Sequence, residues 1–330
     1  MQRPAVIAAA ALATLGLAAC GSNGSGARPV SLRDFSTTEC GTFSGRGCAP
    51  NRRRVDLAPP TFSHPTRITN PMYPISRLRS AVLVGHVGKQ RFRTETTLLP
   101  DTQRVRWGGQ TIEALTSQYM AYLDGQIEEL ALDRYAQDDK GSVWYLGEDV
   151  FEYKRGAVAT TEGTWLAGRE GPGAMIMPAH PRLGDVYRTE NTPGIVFEEV
   201  SVKSTGKTVA GPRGPVRGAM VGSELHLDRT REDKVFAPGY GEFRTSGGGD
   251  LEALALAVPT DALSGPMPSE LREISTAASG MVGSVQAEDW NAARTTLGKL
   301  TTEWDRLRKR SLPPLLEGQM NAALARLRRP

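Results

Sequence analysis

The chain has 330 residues, of which 39% are hydrophobic and 23% are charged. This is an ordinary composition for a water-soluble globular protein, and the length is sufficient for one large domain and a smaller module. The formal net charge of +4 is too small to indicate a nucleic-acid partner.

The N-terminus has the layout of an export signal. Arg3 is followed by an apolar run and then by small residues before Cys20, and the run is too short to span a bilayer. The sequence Leu17-Ala18-Ala19-Cys20 resembles the lipobox of bacterial lipoproteins. In that family the cysteine thiol receives a diacylglycerol and the chain is cut just before it. The resemblance implies a signal peptide over residues 1–19 and a lipid anchor on Cys20.

The anchor predicts where the mature protein resides. Two acyl chains hold a protein on a membrane far better than one, at about 0.8 kcal/mol per buried CH₂. We therefore expect an extracytoplasmic protein that is lipid-anchored to the cell membrane through Cys20. The alternative is an ordinary secreted protein that is cut near the same position.

Residues 20–67 are rich in Gly, Ser, Pro and Arg and lack aliphatic periodicity, which is typical of a flexible tether. This segment contains Cys40 and Cys48. Outside the cytoplasm, a pair this close, without zinc spacing or histidine partners, favours a disulfide over a metal site. The alternative is two unpaired thiols in a mobile segment.

Residues 68–260 have short alternating apolar runs that are interrupted by Gly, Asp and Pro, which predicts antiparallel strands in a meander. Turn signals occur at Gly88-Lys89, Gly108-Gly109, Asp124-Gly125, Asp139-Lys140-Gly141 and Lys154-Arg155-Gly156. Few helical spacings interrupt the strands, which disfavours a parallel βαβ sheet. We predict a large, strongly twisted antiparallel sheet that is open or rolled into a half-barrel.

The hydrophobic period changes after Pro259. Between residues 266 and 330, three stretches have apolar residues at helical spacing, and Trp290 and Trp304 fall on one stripe that indicates a packing seam. Three helices with short links predict a small C-terminal bundle, so the fold class is α+β. Residues 305–330 contain seven Lys or Arg and two acidic residues, so this tail carries a charge of +5.

Three segments carry a resemblance to a known family. They are YAQDDKGSVWYLGEDVFEYKRG (135–156), AMIMPAHPRLGDVYRTE (174–190) and KVFAPGYGEF (234–243). They resemble a group of exported bacterial proteins, common in actinobacteria, whose biochemical role is not established. The last segment is also similar to the closing strand of periplasmic half-barrel proteins, including lipoprotein carriers that hold acyl chains against a curved sheet. Neither resemblance implies any catalytic residue.

One predicted strand offers side chains that can ligate a metal. Glu224, His226 and Asp228 alternate along SELHLD, which would place all three on one face, with Leu225 and Leu227 turned to the core. The simpler interpretation is a solvated strand face. We therefore predict no bound metal and no cofactor.

The stretch WYLGEDVFEY, residues 144–153, has two interpretations. Glu148 and Asp149, with Glu152, offer the paired carboxylates that a glycoside hydrolase needs. Alternatively, WYL and VFEY are strand segments, and residues 147–149 form a bend or bulge between them. The string STGKT (204–208) lacks the helix start of a nucleophilic serine and the upstream glycine of a phosphate loop, and we predict a turn there.

These features predict a membrane-anchored cell-envelope lipoprotein whose β-sheet domain binds a ligand or a partner protein. The expected partners are the bilayer through Cys20, an apolar ligand or an envelope protein, and anionic lipid or wall phosphate near the basic C-terminus. The alternative is a hydrolase of envelope polymers that uses Glu148 and Asp149. The sequence has no recognisable nucleophile or metalloprotease motif, which favours a binding role.

Overall fold

The computed structural model describes residues 48–329, except 79, 193, 212–213, 248–249, 259–267 and 310–313. The chain divides into two compact units between Ala262 and Leu263. The first contains a 14-stranded antiparallel sheet and the second contains three helices, so the predicted α+β class, with an open sheet and C-terminal helices, is confirmed. The predicted signal peptide, Cys20 and Cys40 lie outside the described residues.

The strands form two antiparallel meanders that meet in the middle of the sheet. The first comprises β1 (Ser80–Val87), β2 (Gln90–Trp107), β3 (Gln110–Leu123), β4 (Gln126–Gln137), β5 (Val143–Lys154) and β6 (Ala157–Thr160). Two short strands that pair with β5 follow, β7 (Trp165–Leu166) and β8 (Ala174–Met177). The second meander comprises β9 (Val186–Thr192), β10 (Val196–Gly211), β11 (Gly214–His226), β12 (Arg231–Ala237), β13 (Gly241–Gly247) and β14 (Asp250–Val258). Pairing of β1 with β14 joins the two meanders and leaves β6 and β9 at the edges.

Turns connect the strands of the first meander where the glycine signals predicted them, and all have two residues except the longer one between β4 and β5, which spans residues 138–142. Both turn residues have positive φ at Asp124-Gly125 (48° and 81°), and the same holds at Arg155-Gly156 (55° and 73°). This is type I′ geometry, whose twist matches that of the paired strands. The turns therefore fix the register of each hairpin.

Two strands are longer than the sequence pattern indicated. Strand β2 continues through Pro100 to the turn at Gly108-Gly109, and it shifts its register against β3 between Leu98 and Thr102. Residues 204–207 lie within β10 and not in the predicted turn, and the register against β11 shifts there. Such bulges allow a strand to pass Pro100 and Gly206, residues that disfavour regular pairing, without ending.

The segment before β1 lies against the sheet. The backbone N–H of Ala49 donates to the carboxylate of Glu199 at 2.7 Å, and the N–H of Val55 donates to the carbonyl of Val186 in the edge strand β9 at 2.9 Å. The prediction of a flexible tether over residues 20–67 is therefore wrong for residues 48–67, which the structure describes. From residue 48 onward the chain covers an edge of the sheet, which protects the unpaired backbone groups of that edge.

Apolar side chains from both meanders share one core, which requires the sheet to curve. Trp107 and Trp144, with ring centroids 5.5 Å apart, cluster with Tyr187, Met220 and Phe236 of the second meander. Strand β8 pairs with β5 and also packs beside β9, so it links the first meander to the edge strand of the second. Burial of each large apolar side chain stabilises the fold by about 1.5–3 kcal/mol, which favours this curvature.

The helical unit contains α1 (Ser269–Gln286), α2 (Trp290–Leu307) and α3 (Pro314–Leu327), as the apolar stripes predicted. Trp304 is buried, and its indole N–H donates to Asn321 at 2.8 Å, whereas Trp290 is 54% exposed. The predicted packing seam is therefore right for Trp304 and wrong for Trp290, because Trp290 begins α2 after α1 has already ended. None of the helices described has the length and apolar character needed to cross a membrane.

Candidate functional site

Buried carboxylates are concentrated in the β unit. The buried acidic residues that interact with one another or with Lys234 include Asp133, Glu148, Glu190, Glu224, Glu232 and Glu252. They come from β4, β5, β9, β11, β12 and β14, so both meanders contribute to one acidic cluster. Two basic side chains, His226 and Lys234, lie among them.

The surroundings of these carboxyl groups favour their protonated forms. Burial raises the pKa of Asp133 to about 6, that of Glu148 to about 7 and that of Glu252 to about 8. Burial also raises the pKa of Glu190, and the neighbouring Glu148 adds to this effect. A buried carboxylate without a cation beside it is unfavourable. The acidic cluster is therefore suited to accept an additional positive charge.

Glu148 and Asp149 do not converge on one point. They are consecutive residues of β5, and successive side chains of a strand point to opposite faces. Glu148 interacts with Glu190 and Asp133, whereas Asp149 forms an ion pair with Arg134. This geometry does not favour the hypothesis that the two form the acid and base of a hydrolase.

The predicted bulge in β5 is present. Gly147 has a φ of 126°, and the register between β4 and β5 shifts between Asp133 and Tyr135. A Cβ atom at Gly147 would lie 2.4 Å from the carbonyl oxygen of Trp165 in β7. The bulge therefore lets β7 approach β5 closely, which is a structural role for this motif.

His226 lies among three carboxylates, one on its own strand and one on each neighbouring strand. Its Nδ1 is 3.0 Å from Oε1 of Glu198 in β10, and its Nε2 is 3.5 Å from Oε2 of Glu232 in β12 and 3.9 Å from Oε2 of Glu224. Lys234 places its Nζ 2.7 Å from the same oxygen of Glu224. Glu198, Glu224 and His226 each present one ligand atom within 4.8 Å of the others, which is compatible with a metal ion.

The structure brings together two of the three metal-ligand candidates. Glu224 is buried, so it does not lie on a solvated strand face. Strand β11 ends at His226, and Asp228 lies in the following turn, where it accepts hydrogen bonds from the N–H and the hydroxyl of Thr230 at 2.9 and 2.6 Å. Asp228 therefore does not join the cluster, because the chain turns before the strand alternation reaches it.

Hydrogen bonding at His226 decides its charge. Burial alone would lower the pKa of His226, but the hydrogen bond with Glu198 raises it to about 10, with contributions from Glu232 and Glu224. Burial alone would raise the pKa of Glu198, whereas the interaction with His226 lowers it to about 2. Glu198 therefore holds the imidazole in a defined orientation.

A cavity of ≈ 140 Å³ lies in the β unit between strands β1 to β4, strands β13 and β14, and the segment 73–78. Its lining includes four tyrosines and three acidic residues, which are Tyr73, Tyr119, Tyr135, Tyr240, Asp133, Glu242 and Glu252. The remaining wall is mainly leucine, isoleucine, alanine, proline and threonine. Tyr73, Tyr119 and Tyr240 are only half-buried, so solvent reaches the lining of this cavity.

The cavity carboxylates have hydroxyl groups as partners. Asp133 accepts a hydrogen bond from the hydroxyl of Tyr145 at 2.7 Å, and Glu252 accepts one from the hydroxyl of Thr94 at 3.1 Å. Glu242 similarly accepts one from a threonine hydroxyl at 2.6 Å. Within the part of the chain that the structure describes, no Lys, Arg or His forms an ion pair with any of the three at 4.0 Å or less.

A second cavity, of ≈ 250 Å³, lies between the segment 54–60 and the rings of Trp107 and Trp144. Its charged side chains already have partners. Arg54 pairs with Asp56 at 2.7 Å, and Arg188 pairs with Glu199 at 3.2 Å. Because these charges are balanced, this cavity does not favour an ionic ligand.

Two predicted modifications concern cysteines. Cys48 is disulfide-bonded. Its proposed partner Cys40 and the lipid-anchor candidate Cys20 both lie outside the described residues, so the Cys40–Cys48 pairing and the lipidation stay predictions.

Comparisons of the chain with family models, with curated proteins and with solved structures give no match.

Proposed function

We propose that the protein is a lipid-anchored, extracytoplasmic binding protein whose β unit holds a small organic cation. The observation that carries this proposal is the cavity that is lined both by four tyrosines and by Asp133, Glu242 and Glu252. The anchoring part rests on the resemblance of residues 17–20 to a lipobox.

The size of the cavity limits the ligand. Its volume of ≈ 140 Å³ is close to the roughly 150 Å³ that accommodates a benzene-sized molecule. Complete pockets for drug-sized ligands measure about 300–1,000 Å³. The cavity therefore fits a compact ammonium group, either as a whole ligand or as the cationic end of a longer one.

The lining favours a cation over the apolar ligand that the sequence predicted. Aromatic faces attract cations by about 0.5–2 kcal/mol. An apolar ligand would remove water from the carboxyl groups without supplying a partner, which is unfavourable. A cationic ligand would instead stabilise the ionised forms of Asp133 and Glu252, whose pKa values burial raises.

The test compares choline with its neutral isostere, 3,3-dimethylbutan-1-ol. Both have the same shape, so titration calorimetry of the full-length protein in detergent isolates the effect of the charge. We expect choline to bind at least tenfold more tightly than the alcohol. Ethanolamine adds a primary amine to the series, and tetramethylammonium adds the quaternary ammonium group without the hydroxyethyl arm of choline.

Variants place the binding in the cavity. We expect Glu252→Gln and Asp133→Asn each to weaken choline binding at least tenfold, because a charged hydrogen-bonding or ionic partner contributes about 1.5–3 kcal/mol. Glu113→Gln is the matched control, since Glu113 is exposed on β3. Equal affinity for choline and the alcohol, no binding of any cation in the series, or full binding by Glu252→Gln would refute the proposal.

A further inference from the structure

We infer that His226, Glu224 and Glu232 form a binding site for one divalent transition-metal ion of the Zn²⁺ or Mn²⁺ class, with Glu198 as the residue that orients the imidazole. The three ligands come from the adjacent strands β11 and β12, and Glu198 comes from β10. None of the four lines the tyrosine cavity, so this inference goes beyond the proposed binding of an organic cation.

Three buried ligand atoms lie close together. Nε2 of His226, Oε2 of Glu224 and Oε2 of Glu232 are inaccessible to solvent. Within the part of the chain that the structure describes, none of them has a regular hydrogen bond, although Nζ of Lys234 forms an ion pair with Oε2 of Glu224 at 2.7 Å. Nε2 is 3.9 Å from the Glu224 oxygen and 3.5 Å from the Glu232 oxygen. A metal ion with bonds of about 2.0–2.2 Å separates its ligand atoms by roughly 3–3.5 Å. The separation of Nε2 from the Glu232 oxygen is at this limit, and its separation from the Glu224 oxygen is slightly longer.

The other ring nitrogen of His226 has the partner that a metal-binding histidine requires. Nδ1 lies 3.0 Å from Oε1 of Glu198. Histidines that ligate metals almost always donate their second ring N–H to a carboxylate or carbonyl oxygen, which fixes the tautomer and the ring orientation. Glu198 therefore directs Nε2 toward Glu224 and Glu232. The pairing of Glu198 with His226 and of Glu224 with Glu232 in the sheet register holds all four residues on rigid elements.

The charge of the cluster matches a divalent cation. Glu198, Glu224 and Glu232 are acidic and Lys234 is basic, so these four side chains together carry a charge of −2 once the ion has displaced the proton that Glu198 and Glu232 stabilise on His226. Oε1 of Glu224 accepts a hydrogen bond from the hydroxyl of Thr189 at 3.1 Å, so an ion would bind Oε2 in place of Nζ of Lys234. One imidazole with two carboxylates suits Zn²⁺ or Mn²⁺, whereas Ca²⁺ takes six to eight oxygen ligands.

The experiment titrates full-length protein in detergent, after treatment with a chelator, with Zn²⁺ in a calorimeter and with Co²⁺ in an absorption spectrometer. We expect one equivalent of each metal to bind, with visible absorption bands for Co²⁺. His226→Gln should abolish this binding, and Glu198→Gln should weaken it about 10–100-fold, as loss of an orienting partner does at other metal sites. His86→Gln is the matched control, because His86 is exposed on β1.

Glu232→Gln keeps the test decisive if His226→Gln fails to fold. This change removes a buried charge that lacks a hydrogen bond, so we expect the variant to fold and to bind metal at least tenfold more weakly. Failure of both metals to bind, or wild-type affinity in His226→Gln and Glu232→Gln, would overturn the inference. Choline binding should persist in Glu232→Gln and metal binding in Glu252→Gln, so the two proposals can fail separately.

Discussion

Glu252 illustrates how a single side chain in the cavity wall couples protonation to folding. Its pKa rises from 4.5 to about 8, first through burial and then through Glu242 and Glu232, while Lys234 and the hydroxyl of Thr94 act in the opposite direction. Because the folded-state pKa exceeds that of the unfolded chain, the folded state binds more protons between these two values. The contribution of Glu252 to stability is therefore complete below the lower value and is lost as the pH rises through the upper one.

Replacement of Glu252 by Gln should weaken this pH dependence. We expect the free energy of unfolding, measured with urea at several pH values between 5 and 8, to fall less steeply in the variant, by up to about 1.4 kcal/mol per pH unit. Glu113→Gln, on the exposed face of β3, should retain the wild-type slope. If Glu252→Gln and the wild type had the same slope, the pKa of Glu252 would not be raised by folding.

Gly147 is a second residue whose role is steric. A Cβ atom there would lie 2.4 Å from the Trp165 oxygen and 2.8 Å from Cα of Leu166, at a φ of 126°. Gly239 has a φ of 84° with no atom within 4 Å of its Cβ position, so Gly239→Ala measures conformational strain alone.

We therefore expect Gly147→Ala to lower the free energy of unfolding by several kcal/mol, and Gly239→Ala to lower it by about 1–2 kcal/mol. Urea unfolding of the two variants measures the difference. Similar losses of stability in both would show that β7 does not approach β5 as closely as the structure indicates.

Sequence patterns identified only part of the candidate site. Glu148, Glu224 and His226 were singled out because they stand in short motifs, and all three belong to the acidic cluster. Glu198 and Glu232 were missed, because their approach to His226 depends on the register of β10 and β12 against β11. Glu190 and Glu252 lie on different strands far from these motifs, and only the curvature of the sheet relates them.

At the level of elements, the turns and helices followed from local chemistry. Glycine turns and apolar stripes at helical spacing predicted hairpins and three helices, since these signals act within a few residues. Strand lengths were harder to predict, because β2 and β10 continue through residues that usually end a strand. The role of residues 48–67 was missed because a chain rich in proline covers an edge through backbone hydrogen bonds, which composition does not show.

The basic residues of the helical unit support a prediction about membranes. Near an anionic surface each Lys or Arg contributes about 1 kcal/mol at low salt. We expect the combined replacement of Lys309, Arg328 and Arg329 by Gln, all exposed, to weaken sedimentation with vesicles containing phosphatidylglycerol. Because the three substitutions lie outside the buried seam of the bundle, they should leave the helical circular dichroism unchanged.

A control with the same change of charge separates position from net charge. It replaces three exposed arginines of the β unit by Gln, namely Arg91, Arg104 and Arg106. Equal loss of vesicle binding in both triple variants would mean that only the net charge matters, and that the helical unit has no special role.

At the scale of the whole molecule, the proposed lipidation of Cys20 would decide where the β unit works. We expect the wild type to incorporate a labelled fatty acid and to fractionate with membranes, and Cys20→Ser to lose the label and become soluble. Choline binding should be the same in both, because the cavity belongs to residues of the β unit far along the chain from Cys20. Identical fractionation of the wild type and Cys20→Ser, with no label in either, would exclude the anchor.

The two meanders together create the chemistry that we assign to the β unit. The pairing of β1 with β14 and the curvature of the sheet bring acidic residues from distant parts of the chain into one buried cluster. The apolar core provides the stability that this concentration of carboxyl groups opposes. The cation binding that we propose would relieve these unfavourable electrostatic interactions, so it is the central claim.

Proton release on ligand binding tests this claim most directly. At pH 7, carboxyl groups such as Glu252, with a pKa of about 8, are mostly protonated and should ionise when a permanent cation enters the cavity. Calorimetric titration of choline in buffers of different ionisation enthalpy measures the number of protons exchanged. We predict net release of protons, which Glu252→Gln should reduce; binding without proton exchange, or with uptake of protons, would contradict the account.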